Sequence, residues 1–438
     1  MREATRENLL LIMALCLLAF SIPFPFIYSS IALILLSLVW LIFRNKKEAF
    51  ERLRQRGPLW AWLLYYALHA VSYFYSENKD QAAFDLQVKL GLFILPLLVG
   101  TMDLGIKDLQ KIMGSFCLGI TVVACIALTR SAAIWEETGF SGIMFYHNLV
   151  RDFDANAVYM SWYVLFSIGL LFMFPWERPR PTLRAVLLLI QVVFLVLLSS
   201  RMLTVLFLIF VVPLYFIDRI RGTRRRWPKL VGAASALILI LGIGIGTDNP
   251  IKNRFVDLLY KPEIVRLNDF SQVPEDQINN TELRLFLWRI GLENMNDHNL
   301  WWMGAGNGDA NALQNQKMVD YKIQNIDHPD PEKRSKFYNI NLHNMFIQTL
   351  LMLGIVGLLP FLLMIFLPFF RLPGFYLWPP FSVFLLPSLF FLMQESCLQS
   401  HAGVIYFSFF SSIFWASYYT NKYAKTAKTQ KTLPKNKN

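Results

Sequence analysis

The sequence predicts an all-α integral membrane protein: about twelve transmembrane helices and one large outer loop that contains short helices. Three observations predict it. The chain of 438 residues is 55% hydrophobic and 15% aromatic but only 16% charged, against about 25% charged in a soluble domain. Apolar runs near 20 residues recur along it, the length an α-helix needs to cross hydrocarbon. Its basic residues, which give a formal net charge of +12, fall in short connections between those runs, as the positive-inside rule requires. That placement makes the charge a matter of membrane orientation and excludes nucleic acid as its partner. Cys16, Cys117 and Cys125 lie inside apolar runs and Cys397 stands alone near a helix end, so no disulfide or zinc spacing appears.

The expected spans are 8–25, 27–43, 59–75, 87–101, 111–130, 156–174, 184–199, 202–217, 231–247, 345–368, 378–393 and 402–420. The first follows Arg2 and Arg6 as a signal peptide would. Pro23 and Pro25 follow it without a small-x-small cleavage site, so it is expected as a retained span. The chain thus divides into a membrane part, 1–247, a polar segment, 248–342, a second membrane part, 343–420, and a basic tail, 421–438.

Arginine and lysine set the orientation. The run from Arg44 to Gly57 carries six basic residues, the run from Asp218 to Lys229 another six, and the tail from Asn421 a further six. The alternate connections 76–86, 131–155 and 394–401 carry only Lys79 and Arg151. The first set belongs inside and the second outside. The long segment 248–342 has 11 Lys+Arg against 14 Asp+Glu, and this arrangement puts it outside.

Within that segment Asn279 and Glu282 form a capping-box pattern. Leu283, Phe286, Leu287 and Ile290 follow at helical spacing. A second helix is expected from Ala310 to Gln324. Between the two, the glycines of WWMGAGNGD predict a tight turn. No buried strand precedes it, so it is not a dinucleotide-binding loop.

The residues able to carry chemistry gather on the outer side. His343 and Asn344 stand at the mouth of the apolar run that begins at Met345, with Gly354 and Gly357 inside it. One reading is a polar helix cap with glycines for close helix packing. The other is catalytic: an imidazole, whose ordinary pKa is about 6.5, is suited to take a proton near neutral pH. Arg201 sits in a turn between two apolar runs. A cation deep in hydrocarbon costs about 2.5–3.5 kcal/mol, so it either snorkels outward or meets an anionic ligand. Arg284 shares a helix face with Trp288 and Gly291. Arg289, five positions on, points about 140° away at 3.6 residues per turn and reads as an ordinary solvated charge. Asp152, Asp154 and Glu395 are carboxylates that could orient these groups, Glu395 foremost because it ends a span. No histidine or cysteine spacing supports a metal.

These residues match a known pattern. The chain resembles the bacterial O-antigen ligase family, which includes O-antigen polymerases and some protein O-oligosaccharyltransferases. The family's hallmark is His followed by Asn, Ser or Gln, nine residues, Gly, two residues, then Gly, Thr or Tyr. His343, Asn344, Gly354 and Gly357 fit each position. Ser200-Arg201 matches its membrane-turn Ser-Arg, and Arg284 and Trp288 with the Gly304/Gly306 turn match its outer-loop pattern. Trp302 and Met303 replace the usual Pro-Leu there.

The resemblance implies a bacterial inner-membrane enzyme whose active site, and whose large loop, face the periplasm. It implies transfer of a glycan from undecaprenyl diphosphate to a hydroxyl of lipid A-core, with inversion and without ATP, metal or cofactor. It gives His343 the role of base, gives Arg201 and Arg284 the diphosphate, and leaves Asn344, Glu395, Gly354 and Gly357 as supporting residues. A polymerase using a second lipid-linked glycan, or a protein O-oligosaccharyltransferase, shares this chemistry. A transporter or flippase is the alternative of another class. It would show two related halves and mid-span charges, and neither is visible.

Overall fold

The computed structural model describes residues 2–177, 181–211, 213, 262–371 and 378–432. Among these the chain is helical and contains no β-strand. The first membrane part comprises α1 (Arg2–Ser21), α2 (Phe26–Phe43), α3 (Lys46–Gln55), α4 (Leu59–Tyr75), α5 (Lys79–Lys89), α6 (Gly91–Leu98) and α7 (Ile106–Thr138). It continues with the single turn α8 (Tyr146–Leu149), then α9 (Ala157–Met173), α10 (Pro181–Leu197) and α11 (Arg201–Leu206). The polar segment holds α12 (Pro262–Val265), α13 (Asn280–Asp297) and α14 (Ala310–Asp320). The last three helices are α15 (Met345–Arg371), α16 (Pro379–Gln394) and α17 (His401–Thr432).

Four stretches are long and apolar enough to cross a membrane: Phe26–Phe43, Lys79–Leu98, Ile106–Thr138 and Met345–Phe370. The helices Ala157–Met173, Pro181–Leu197 and Pro379–Gln394 are apolar but shorter. The expected run 231–247, the connection 218–230 and the end of the run 202–217 lie outside the described residues.

Three of the departures from the expected runs have a local reason. The connection 44–58 contains α3. Asn45 caps it by accepting from the Glu48 N–H at 3.2 Å, and Ala49 and Leu53 are buried beneath it. The run expected from residue 87 begins at Lys79, because Asn78 caps α5 and its polar face pairs Lys89 with Asp85 at 2.8 Å. The run 111–130 continues to Thr138, where left-handed Gly139 (φ 69°) ends it.

Packing follows the apolar faces. α1 lies against α2 and α7, α4 against α15, α17 against α6, and α9 against α16. Aromatic rings fill the centre. Trp162 is 4.2 Å from Phe391 and 4.4 Å from Tyr406, centroid to centroid, and Phe116 is 4.8 Å from Phe410. The indole N–H of buried Trp162 donates to Ser388 at 3.2 Å, which meets the need of a buried donor. The outward faces of the apolar helices remain bare, with Ile34, Leu41, Leu64, Leu189 and Leu359 all more than half exposed. Such a surface suits hydrocarbon rather than water.

The connections sort themselves to two ends. At one, buried Arg56 donates to the carbonyls of Gly100 and Met102 at 2.6 and 2.7 Å and pairs with Asp103 at 2.9 Å. Leu104 N–H reaches Thr420 there at 3.0 Å, and Lys107 meets Glu177 at 3.5 Å. At the other end the Asp309 carboxylate accepts from the N–H groups of Glu77 and Asn78, and Ser30 meets His401 at 3.1 Å. The connections 44–58 and 102–110 and the start of the tail therefore share one end. The connections expected on the opposite side share the other with the polar segment.

Candidate active site

The site is assembled by a break in α15. Gly354 has φ 62° and ψ −163° in the middle of that helix, a conformation open essentially to glycine alone. A continuous helix would pair Leu351 with Ile355 and Met352 with Val356. Here those four backbone groups turn to the glycine-rich turn instead. Ala305 and Gly306 donate to the Leu351 and Met352 carbonyls at 2.8 and 2.9 Å. Ile355 and Val356 donate to the Trp301 and Trp302 carbonyls at 2.8 and 3.2 Å. Every group freed by the break is satisfied, as buried backbone requires. A Cβ at Gly354 would run into the Trp302 backbone, and one at Gly357 into the Leu353 side chain. Gly354 thus anchors the polar segment to α15, while Gly357 makes room for Leu353 of its own helix.

Upstream of the break the polar dipeptide divides its work. Asn344 is the cap: its side-chain oxygen accepts from the Phe346 and Ile347 N–H groups at 3.0 and 3.1 Å. His343 is therefore not needed as a cap. It sits in the left-handed region (φ 47°), held by its own N–H on the Asn341 side chain at 3.0 Å.

The end of α16 meets this dipeptide residue for residue. The Asn344 N–H donates to the Ser396 hydroxyl at 3.1 Å, and His343 Nδ1 lies 2.8 Å from Glu395 Oε2. Arg284 Nη2 reaches the other Glu395 oxygen at 2.5 Å. Arg284 is placed by α13, whose Asn279–Glu282 capping box is formed as the pattern predicts. Gly291 on the same face lets α13 close onto Leu342 and Ile347.

Glu395 is buried, and burial, the largest single influence, pushes its carboxyl pKa up. The hydrogen bonds and charges of His343 and Arg284 together outweigh burial and hold it below the usual carboxylate range. An ionised Glu395 can only accept, so His343 Nδ1 carries the hydrogen, and in the neutral ring the lone pair is then on Nε2. His343, Glu395 and Arg284 line one cavity of about 340 Å³, with Lys336 and with Tyr146 and His147 of α8. That is within the range of small-ligand sites.

The remaining candidates lie elsewhere. Arg289 is bound to Glu293, to the Val265 and Leu267 carbonyls and to Tyr321, a structural role. Asp152 pairs with Arg130, and Asp154 ends a short turn in the left-handed region. Arg201 opens α11 after Ser200, but its side chain lies outside the described residues. Among the described residues no three His, Cys, Asp or Glu side chains gather as metal ligands. Sequence reasoning missed Ser396 and Lys336. The Glu-Ser dipeptide at the end of a run was a usable signal for the first, and nothing in spacing marked the second.

A family model described as O-antigen ligase matches residues 185–362. That interval contains Arg201, Arg284, His343, Asn344, Gly354 and Gly357 and stops short of Glu395. No curated protein matches the chain. The match agrees with the apolar helices in making this a multi-pass membrane protein. Over residues 185–362 the chain is similar to the O-antigen ligase family.

Proposed function

We propose that the protein is a glycosyltransferase that moves a glycan from undecaprenyl diphosphate to a hydroxyl of lipid A-core at the periplasmic face of the inner membrane. The family match over residues 185–362 supports a ligase- or polymerase-type membrane glycosyltransferase. The finer reading is carried by one observation, the shared carboxylate of Glu395 between His343 and Arg284. It orients a base and a cation toward the same cavity.

In this reading His343 Nε2 takes the proton of the acceptor hydroxyl as its oxygen attacks the anomeric carbon. The bond from that carbon to the diphosphate oxygen breaks, and undecaprenyl diphosphate leaves with the electron pair. Attack from the face opposite the leaving group inverts the anomeric centre. Arg284 commits Nη2 to Glu395, and its remaining N–H groups suit the oxygens of a diphosphate. Arg201 is the second clamp that the family pattern assigns. Cations fixed beside a low-dielectric boundary stabilise the charge that grows on the leaving group. The sugar–diphosphate bond supplies the driving force, so no cofactor is called for.

The test is transfer by the purified protein reconstituted with lipid-linked glycan and lipid A-core. Glycan attached to the core through the opposite anomeric configuration is the expected product. Transfer only to a second lipid-linked glycan would make the protein a polymerase, and no transfer to any hydroxyl acceptor would overturn the reading.

A further inference from the structure

Lys336 lines the same cavity as His343, Glu395 and Arg284. It lies seven residues before His343 in the loop that delivers the histidine. Other lysines of the polar segment have carboxylate partners: Lys317 with Asp297 at 2.5 Å, Lys322 with Asp269 at 2.5 Å, Lys333 with Asp330 at 3.7 Å. Lys336 differs from them. Its ammonium donates to the Glu275 carbonyl at 3.2 Å and stands 5.1 Å from the centre of the Phe337 ring. Both contacts are neutral, and among the described residues no carboxylate pairs with it. Each contact holds the ammonium at the cavity while leaving its charge uncancelled.

The charges around the cavity then do not balance. Arg284, Lys336 and Glu395 are the charged groups that line it. Glu395 and Arg284 offset one another at 2.5 Å, which leaves the charge of Lys336. A cavity with surplus positive charge, lined by the cations Arg284 and Lys336 and with its carboxylate already engaged, fits an anion with several acceptor oxygens.

We propose that Lys336 is a phosphate-binding residue of this site, contacting a phosphate or diphosphate group seated in the cavity beside Arg284. This rests on the glycosyl-transfer reading above and extends it by a cation that neither the family pattern nor the sequence assigns. The phosphate has two possible sources, the diphosphate of the donor or a phosphate carried by the acceptor.

The experiment uses the full chain purified in detergent, with the series Lys336→Arg, Lys336→Gln and Lys336→Glu. Inorganic pyrophosphate binding is followed by calorimetry, and KM is measured separately for donor and acceptor. One charge-assisted hydrogen bond is worth about tenfold or more in affinity. Lys336→Gln should therefore weaken pyrophosphate about tenfold, Lys336→Glu further, and Lys336→Arg little. A rise in donor KM identifies the donor diphosphate, and a rise in acceptor KM an acceptor phosphate. Lys322→Gln, a loop lysine away from the cavity, should change neither. Thermal melting of each variant separates binding from folding, and the order Arg, Gln, Glu must follow charge rather than melting temperature. A flat series with transfer intact overturns this assignment and leaves the transfer reading standing. Charge-ordered pyrophosphate binding without any glycan transfer supports the anion site and overturns the transfer reading. Wild-type protein that neither binds pyrophosphate nor transfers glycan overturns both.

Discussion

At the scale of single residues, the base and the cap can now be tested apart. Asn344 caps α15, so substitution of His343 leaves the helix start intact. Position 343 is left-handed, and asparagine tolerates that region better than most residues. His343→Asn should therefore fold and melt like the wild type yet lose transfer by about 10²–10⁴-fold, the usual worth of general-base assistance. Near-normal transfer by a stable His343→Asn protein would falsify the base assignment. Glu395→Gln tests the partner. An amide can present its NH2 to the imidazole and hold the wrong tautomer, so transfer should fall by roughly 10²-fold or more. It also carries a pH signature. The folded carboxyl sits below its ordinary value of 4.5. The stability it confers is thus fully present above that value and is lost as pH falls through the lowered one. The gap in melting temperature between wild type and Glu395→Gln should be constant from pH 6 to 8, narrow as pH falls below about 4.5 and close only once pH has passed below the lowered pKa. A gap that widens in acid would contradict the ionised, doubly bonded carboxylate.

At the scale of elements, the docking of the glycine-rich turn onto the break in α15 explains a spacing that sequence alone left open. Helix packing and motif were equal readings of Gly354 and Gly357, because periodicity shows where a glycine stands and not what approaches it. The positive φ of Gly354 and the backbone exchange with Trp301 and Trp302 decide it for Gly354, while Gly357 serves packing within α15. Gly354→Ala must strain an alanine in a glycine-only region, about 1–3 kcal/mol, and also displace the Trp302 backbone. The turn 301–309 should become protease-sensitive, and melting temperature should fall. An alanine variant that resists proteolysis as well as the wild type would mean that the break is not what holds the turn. The helices themselves were largely legible from apolar runs and caps, and so were the capping box of α13 and the divergence of Arg284 from Arg289. The meeting of His343 with Glu395 was not, because the two lie 52 residues apart in sequence on different helices. Helix α3 was hidden for a different reason: its charges are those the orientation rule counts, so they read as a connection.

At the scale of the whole molecule, the contacts between connections bear on orientation without fixing it. The positive-inside reading needs the connections 44–58 and 102–110 on one side and the polar segment on the other. The ion pairs of Arg52 and Arg56 with Asp103 bring the first two together, and the Asp309 clamp on Glu77 and Asn78 holds the polar segment at the opposite end. Charge alone assigns the outer end: α3 and its flanks are strongly basic, while the polar segment is slightly acidic. Two exposed glutamates that make no ion pair among the described residues suit the test, Glu51 on α3 and Glu332 in the polar segment. Cysteine at either position, in a chain with exposed Cys125 replaced by serine, should leave the fold unchanged, since surface substitutions rarely exceed about 0.5 kcal/mol. In intact cells an impermeant thiol reagent should label Glu332→Cys and spare Glu51→Cys until the membrane is opened. The reverse pattern would turn the molecule over and put His343 on the side from which the proposed donor and acceptor are absent. Labelling of both from outside would break the two-ended arrangement itself.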